Sequence, residues 1–136
     1  VTEVLIVNKE EAHRVLGLKH NGVDFKALLR QLQQVGPRQG VVTDGPNGAY
    51  AFDGKRFWSM PIFEVPVIER TGAGDSFSTG VIAALAAGES MKEALRWGTF
   101  NSASVIQDVG PQKGLLKKSE MQKFLRTHKD VQAKEL

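Results

Sequence analysis

The sequence predicts an α/β protein, organised as a layered sheet whose central strands run mainly parallel. Residues 4–7 are an unbroken apolar run, and Val41-Val42-Thr43 is a second short stretch of β-branched residues; both are typical of buried strands. Helical patterns alternate with these runs, which indicates helices packed on a sheet. The chain contains no internal repeat, low-complexity segment or linker, so residues 1–136 are predicted to form a single α/β domain.

Two helices are predicted between these first two strands. Asn8 can cap a helix that runs to about Leu16, where Gly17 would end it. A second helix is expected from Asp24 to Gly36. Its apolar residues recur at i, i+3, i+4 and i+7: Phe25, Leu28, Leu29 and Leu32.

A hairpin and three helices are predicted for the rest of the chain. Residues 49–52 and 56–59 flank Asp53-Gly54-Lys55, a hairpin signal, after the turn-rich residues 44–48. An Ala-rich, nearly buried helix should end at Gly88, and the next should run from Ser90 to Ile106. Ser90 and Glu93 match the capping-box pattern. A last helix near Ser119 has an apolar side formed by Met121, Phe124 and Leu125.

The composition excludes several classes of function. The chain has no cysteine, which excludes disulfides, thiolate catalysis and cysteine-ligated metal sites. Eighteen Lys and Arg against fifteen Asp and Glu leave a formal charge of +3, too mild to indicate a nucleic-acid partner. No apolar stretch is long enough to cross a bilayer, and the N-terminus lacks a signal-peptide pattern, so no membrane partner is expected.

Residues 69–77, Glu-Arg-Thr-Gly-Ala-Gly-Asp-Ser-Phe, carry the most chemical information. Gly72 and Gly74 let the backbone turn tightly and approach a ligand. The helix that follows directs free N–H groups and its positive dipole end at this turn, which suits a phosphate. Asp75, in the first helical turn, could take a proton from a hydroxyl nucleophile. On pattern alone, a plain turn with Asp75 as partner of the helix dipole explains these residues equally well.

Two common phosphate motifs do not account for this turn. Phe77 stands where the dinucleotide-binding fingerprint requires its third glycine. A P-loop needs Gly-Lys followed by Ser or Thr, and the sequence has no such run.

Several motifs, in order along the chain, resemble the PfkB or ribokinase-like family of carbohydrate and nucleoside kinases. Residues 71–77 with Gly80 resemble the C-terminal signature of that family. Residues 8–11 resemble its Asn-x-x-Glu motif, 43–48 its Thr-x-Gly-x-x-Gly loop along the nucleotide, and 109–111 the loop that closes the nucleotide pocket. The resemblance implies a three-layer ribokinase-like sheet with a short hairpin. It also implies ATP-dependent phosphoryl transfer to a hydroxyl of a sugar or nucleoside.

The resemblance further implies roles for individual residues. Asp75 would be the base that activates the acceptor hydroxyl. The anion hole for the γ-phosphoryl group would be formed by the backbone N–H groups of Gly72, Ala73 and Gly74. Nucleotide-binding positions would be Thr43, Gly45, Gly48, Asn101 and Gly110. Mg²⁺ would be held, mainly through water, by Asn8 and Glu11.

A monovalent-cation site is left open by the resemblance. Glu69 and Thr71 stand where the family holds such a cation. Many members have Asp at the position of Glu69, so this departure leaves K⁺ activation open for this chain. ATP and Mg²⁺ are the expected cofactors.

The N-terminal half of the family, with its acceptor-binding motif and lid, has no counterpart in residues 1–136. We therefore expect this chain to be the C-terminal portion of a cytoplasmic kinase and to be inactive by itself. A homo-oligomer or a partner chain should cover the sheet edge that this truncation exposes. The acceptor stays open between a sugar and a nucleoside.

Two other classes of protein are alternatives. A non-catalytic nucleotide-binding module, or an inactive fragment of such a kinase, would keep the fold without turnover, but it need not keep Asp75. A dinucleotide-dependent oxidoreductase is disfavoured by Phe77. It would also need a following strand that ends in an acidic ribose ligand, and the sequence predicts none.

Overall fold

The computed structural model describes residues 4–17, 24–63, 73–106 and 118–136. The chain divides into two compact units, one of Val1–Met60 with Lys134–Leu136 and the other of Pro61–Ala133. The first, here the sheet unit, contains β1 (Val4–Asn8), α1 (Lys9–Leu16), α2 (Phe25–Val35), β2 (Gln39–Thr43), a 3₁₀ turn (Gly45–Asn47), β3 (Ala49–Phe52), β4 (Phe57–Met60) and β5 (Lys134–Glu135). The second, here the helical unit, contains α3 (Ala73–Ala86), α4 (Met91–Ile106) and α5 (Lys118–Thr127).

The five described strands form one mixed sheet in the order β1-β2-β3-β4-β5. Parallel pairing is found between β2 and β1, the edge strand of this described sheet, with Val4 opposite Gln39 and Asn8 opposite Thr43. The other three pairs of described strands are antiparallel. Short loops join β2 to β3 and β3 to β4, and such loops connect only antiparallel neighbours, whereas two helices lie between β1 and β2. The α/β prediction is confirmed. Among the described strands, only β1 and β2 are paired in parallel, so the described sheet is mixed rather than mainly parallel.

Helices α1 and α2 begin and end where the sequence predicts. Asn8 and Asp24 are their N-caps, and each side-chain oxygen accepts a hydrogen bond from a backbone N–H three residues later. The predicted apolar face of α2 is confirmed, since three of its leucines are almost fully buried. With residues of α1, β2 and β3 they form one core: Ala12, Leu28, Leu29, Leu32, Val42 and Phe52.

Asp53 organises the hairpin between β3 and β4. Its Oδ1 accepts hydrogen bonds from the backbone N–H groups of Lys55 (2.8 Å) and Arg56 (2.7 Å). Its Oδ2 accepts one from Trp58 Nε1, at 3.0 Å. Burial alone raises the pKa of the Asp53 carboxyl. The hydrogen bonds, with the charge of Arg56, outweigh burial and hold the pKa below its ordinary value of 3.8.

Arg96 joins α4 to the end of α5 in the helical unit. Its buried guanidinium donates to the carbonyl oxygens of Leu125 (2.9 Å), His128 (3.0 Å) and Val131 (2.8 Å), and to the carboxylate of Glu93 (2.9 Å). The last carbonyls of a helix have no partner within the helix. Arg96 therefore supplies the C-terminal cap of α5 from a neighbouring helix.

The start of α4 and the apolar side of α5 agree with the sequence predictions. The Glu93 N–H donates to Ser90 Oγ at 3.2 Å, as expected for the first half of a capping box. On α5, Met121 is buried, and Phe124 stacks on Phe100 of α4 with ring centroids 5.5 Å apart. Within the described ranges, no helix has both the length and the apolar character needed to span a membrane.

Acidification is expected to weaken the hairpin through Asp53. A carboxyl whose pKa is lower in the folded state stabilises that state fully above its unfolded value. This stability is therefore present above pH 3.8 and is lost as the pH falls through the lower folded-state pKa. Urea unfolding between about pH 6 and about pH 3 should show a smaller pH dependence for Asp53→Asn than for the unchanged protein.

Glu89→Gln provides the control, because Glu89 is an exposed carboxylate in the turn after α3. This variant should keep the pH dependence of the unchanged protein. Equal pH dependence in Asp53→Asn and the unchanged protein would contradict the role assigned to Asp53.

Candidate active site

The first turn of α3 carries the described part of the glycine-rich signature. Helix α3 begins at Ala73, so Gly74 and Asp75 both lie in its first turn, and both are exposed. The free N–H groups of this turn and the positive end of the helix dipole favour an anion at that position. Three predicted residues, Glu69, Thr71 and Gly72, lie outside the described residues.

Two hydroxyl side chains bond the main chain of this turn from within α3. Ser78 Oγ donates to the carbonyl oxygen of Gly74 at 3.1 Å, and Thr79 Oγ1 donates to that of Asp75 at 2.9 Å. These bonds run to the residue four positions earlier, where they share carbonyls with the hydrogen bonds of the helix itself, and bonds of this kind tend to bend a helix slightly. They satisfy both hydroxyls within α3 and bring no contact from another element.

Helices α3 and α4 cross at a pair of glycines. A Cβ added to Gly80 would lie 2.7 Å from the carbonyl oxygen of Trp97 and 2.8 Å from the Cα of Gly98. A Cβ added to Gly98 would lie 2.8 Å from the carbonyl oxygen of Phe77. Real Cβ atoms do not approach other atoms so closely, so both positions require glycine for the backbones to touch.

Asn101 lies almost fully buried on α4 and reaches the first turns of α3. Its Nδ2 donates to the carbonyl oxygen of Ser76 at 2.7 Å, directly after Asp75 in the chain. The family resemblance implies a nucleotide-side role for Asn101. The structure brings its amide to the backbone that carries the signature.

In the sheet unit, two further motifs lie side by side at the carboxyl ends of β1 and β2. Asn8 ends β1 and Thr43 ends β2, and these two residues are paired in the parallel register. The Asn-x-x-Glu motif and the 43–48 loop therefore both follow the carboxyl ends of adjacent parallel strands. Ligands of α/β proteins bind at such ends.

The loop after β2 has a compact backbone that depends on two glycines. Gly45 and Gly48 have φ values of +52° and +97°, which favour glycine. The Asp44 N–H donates to the carbonyl oxygen of Gly48 at 2.8 Å, and the Asn47 N–H to that of Asp44 at 2.9 Å. The predicted glycine loop is thus closed by its own backbone hydrogen bonds.

Asn8 and Glu11 form a complete capping box at the start of α1. The Asn8 N–H donates to Glu11 Oε1 at 2.9 Å, and the Glu11 N–H donates to Asn8 Oδ1 at 2.7 Å. Among the described residues, no group of three or more His, Cys, Asp or Glu side chains could hold a metal ion directly. An exposed amide and an exposed carboxylate suit a hydrated Mg²⁺, which keeps several of its waters. Gly110 lies outside the described residues.

The comparison with known proteins decides the family. The model of the pfkB family carbohydrate kinases matches residues 1–118. The chain belongs to this family. Its fold agrees, since it superposes on the ribokinase of Thermotoga maritima with a TM-score of 0.77 at 23% identity, over 91% of this chain and 42% of the other.

The names of two curated relatives of this PfkB-family chain indicate different acceptors. A fructoselysine 6-kinase of Escherichia coli is 42% identical over 67 residues, which cover 49% of this chain and 26% of the relative. A cytidine kinase of Thermococcus kodakarensis is 29% identical over 110 residues, which cover 79% of this chain and 38% of the relative. The chain therefore spans about a quarter to two fifths of the length of these relatives.

Gly98 is the residue of this region that sequence reasoning missed. Gly80 belongs to the signature, but its contact partner lies 18 positions later in the chain and outside any quoted motif. One signal was present. Glycine within a helix is unfavourable compared with alanine, so a glycine inside an otherwise strong helical pattern indicates close packing.

Substitution of Gly80 and of Gly74 by alanine should have different effects on the free energy of unfolding. Gly80→Ala is expected to destabilise the fold by about 1–3 kcal/mol, because the new methyl group meets backbone of α4. Gly74→Ala should leave stability equal or raise it by about 0.5–1 kcal/mol, because a Cβ there meets nothing within 4 Å. Urea unfolding of both variants measures the difference. A Gly80→Ala protein as stable as the unchanged one would contradict the close crossing.

Proposed function

We propose that this chain is the nucleotide-binding, catalytic part of an ATP-dependent kinase that phosphorylates a hydroxyl of a sugar or nucleoside. The observation that carries this proposal is the first turn of α3. There, the exposed carboxylate of Asp75 directly follows Gly74 and lies beside the free N–H groups of the helix. Membership in the PfkB family supports kinase chemistry in general. The assignment of particular residues is our proposal.

Asp75 is assigned the role of general base. It takes the proton of the acceptor hydroxyl while the hydroxyl oxygen forms a bond to the γ-phosphorus and the bond from that phosphorus to ADP breaks. The N–H groups of Gly72, Ala73 and Gly74 stabilise the charge on the transferred phosphoryl group. Phosphoryl transfer depends mostly on positioning and charge stabilisation, and a helix N-terminus beside a carboxylate supplies both.

The remaining positions are assigned to the nucleotide and its ions. The 43–48 loop and Gly110 are assigned to the nucleotide side. Asn101, for which the family resemblance implies that side, is almost fully buried and bonds α3, so it is not assigned to the nucleotide. Asn8 and Glu11 would hold hydrated Mg²⁺, which when bound neutralises charge on the phosphates. The motif follows the carboxyl end of β1, where ligands of α/β proteins bind, and this position supports the assignment. A monovalent cation would lie near Glu69 and Thr71.

A non-catalytic nucleotide-binding module is the second candidate function. One observation favours it, since the capping box explains Asn8 and Glu11 without any metal. Both candidates bind a nucleotide, and they differ in whether Asp75 takes part in turnover. Substitution of Asp75 therefore distinguishes them.

Asp75→Asn is expected to lower kcat by about 10²–10⁴-fold in the complete kinase, because the amide keeps the size of the side chain but cannot take a proton. ATP affinity should stay within about threefold, because the anion hole is backbone. Steady-state kinetics and calorimetric titration with ATP measure the two quantities. Glu89→Gln, an exposed carboxylate beyond the other end of α3, is the control. Near-normal turnover in Asp75→Asn would contradict the role of base.

Residues 1–136 alone should not phosphorylate an acceptor. Positioning of the acceptor supplies roughly 7–11 kcal/mol of the barrier, and we assign no acceptor-binding residue within this chain. The purified chain should also self-associate or require a partner, because the half-buried apolar residues of β1 lie at an edge of the described sheet. Light scattering gives the mass, and assays with ATP and a panel of sugars and nucleosides give the activity. A monomer that turns over any of these acceptors would contradict both expectations.

A further inference from the structure

Asn101 is a buried amide whose contact no part of the proposed reaction explains. Only 1% of its surface is exposed, and it lies among buried apolar residues of α4 such as Phe100 and Ala103. Burial of an amide is costly unless the amide is hydrogen-bonded. Its Nδ2 donates to the carbonyl oxygen of Ser76 on α3, at 2.7 Å.

The glycine crossing makes this contact possible. Asn101 lies one turn beyond Gly98 on α4, and Ser76 lies one turn before Gly80 on α3, so both face the crossing. The two helices run antiparallel here, because contacts move towards the N-terminus of α3 as they move towards the C-terminus of α4. At this separation of the backbones, a short side chain reaches across from one helix to the main chain of the other.

We propose that Asn101 is a positioning residue, which fixes the first turn of α3 and so the place of the Asp75 carboxylate and the Gly74 N–H. The effect of this placement on catalysis rests on the proposed function. The bond holds main chain, not a side chain, so rotation of a side chain at Ser76 cannot release it. The bonds from Ser78 and Thr79 lie within α3 and move with it, whereas the bond from Asn101 comes from another helix.

Thr99 provides a matched control on the same helix. It is also a buried polar residue, with 6% of its surface exposed, but its Oγ1 donates to the carbonyl oxygen of Leu95 within α4 at 2.7 Å. Thr99→Val therefore removes a buried hydrogen bond that does not reach α3. Asn101→Asp keeps the size of the side chain and removes the donor. Asn101→Ser is a milder variant that keeps a polar group, and it carries the test if Asn101→Asp fails to fold.

Hydrogen exchange in the 136-residue chain tests the contact without any assumption about activity. The amides of Phe77, Ser78 and Thr79 bond the carbonyls of the first turn of α3 and so report its opening. They should exchange about tenfold faster in the Asn101 variants, while amides in the C-terminal half of α3 stay unchanged. Thr99→Val should leave both sets of amides unchanged. Unaltered exchange at residues 77–79 in the Asn101 variants would overturn the proposal.

Steady-state kinetics of the complete kinase test the consequence for catalysis. The Asn101 variants should lose about 10²-fold in kcat, because a small displacement of a catalytic group is costly. The KM for ATP should stay within about threefold, and Thr99→Val should change neither quantity by more than that. A raised KM for ATP with unchanged kcat would overturn the proposal, because it would make Asn101 a ligand of the nucleotide. Absence of phosphotransferase activity in the unsubstituted kinase would contradict the proposed function, whereas the exchange result would stand.

Discussion

The contact of α3 and α4 at Gly80 and Gly98 is the constraint on which the candidate site depends. Because neither residue has a Cβ, the two backbones touch, and buried groups of one helix come within reach of the main chain of the other. The hydrogen bond from Asn101 to Ser76 follows from this separation. Close packing therefore bears on the proposed chemistry, since the helix that it holds is the one that carries Asp75.

The helical unit combines this contact with a second polar anchor. Arg96 lies on α4 between the glycine crossing and the start of the helix, and its guanidinium holds the end of α5 through main-chain carbonyls. Helix α4 thus uses one buried amide towards α3 and one buried guanidinium towards α5. Both side chains bond backbone, which fixes the position of neighbouring elements more firmly than contacts between mobile side chains.

The sheet unit gathers its motifs by topology. The Asn-x-x-Glu motif and the glycine loop are more than thirty residues apart in sequence. They become neighbours because β1 and β2 are paired in parallel and both motifs follow the same ends of these strands. Asn8 serves two purposes at that edge, since it ends a strand and caps the next helix. A residue with such a local structural role can also face a ligand, so capping and ion binding are compatible.

Local sequence determined the helices, their caps, the hairpin and the place of Asp75 in a first helical turn, because these features depend on interactions within a few residues. The hairpin strand β4 begins one residue later than predicted, since Asp53 binds the N–H groups of both Lys55 and Arg56 and extends the turn. The family resemblance supplied the motif roles, and the match over residues 1–118 agrees with the family.

Tertiary structure alone decided the strand order, the antiparallel pairing of β5 with β4, the glycine crossing and the hydrogen bond of Asn101. β5 has only two residues, which is too short for a strand pattern. No neighbouring residue in the sequence indicates what Gly98 and Asn101 contact, because their contact partners lie on a different helix. Such contacts depend on which surfaces pack together, and no pattern of nearby residues indicates which surfaces these are.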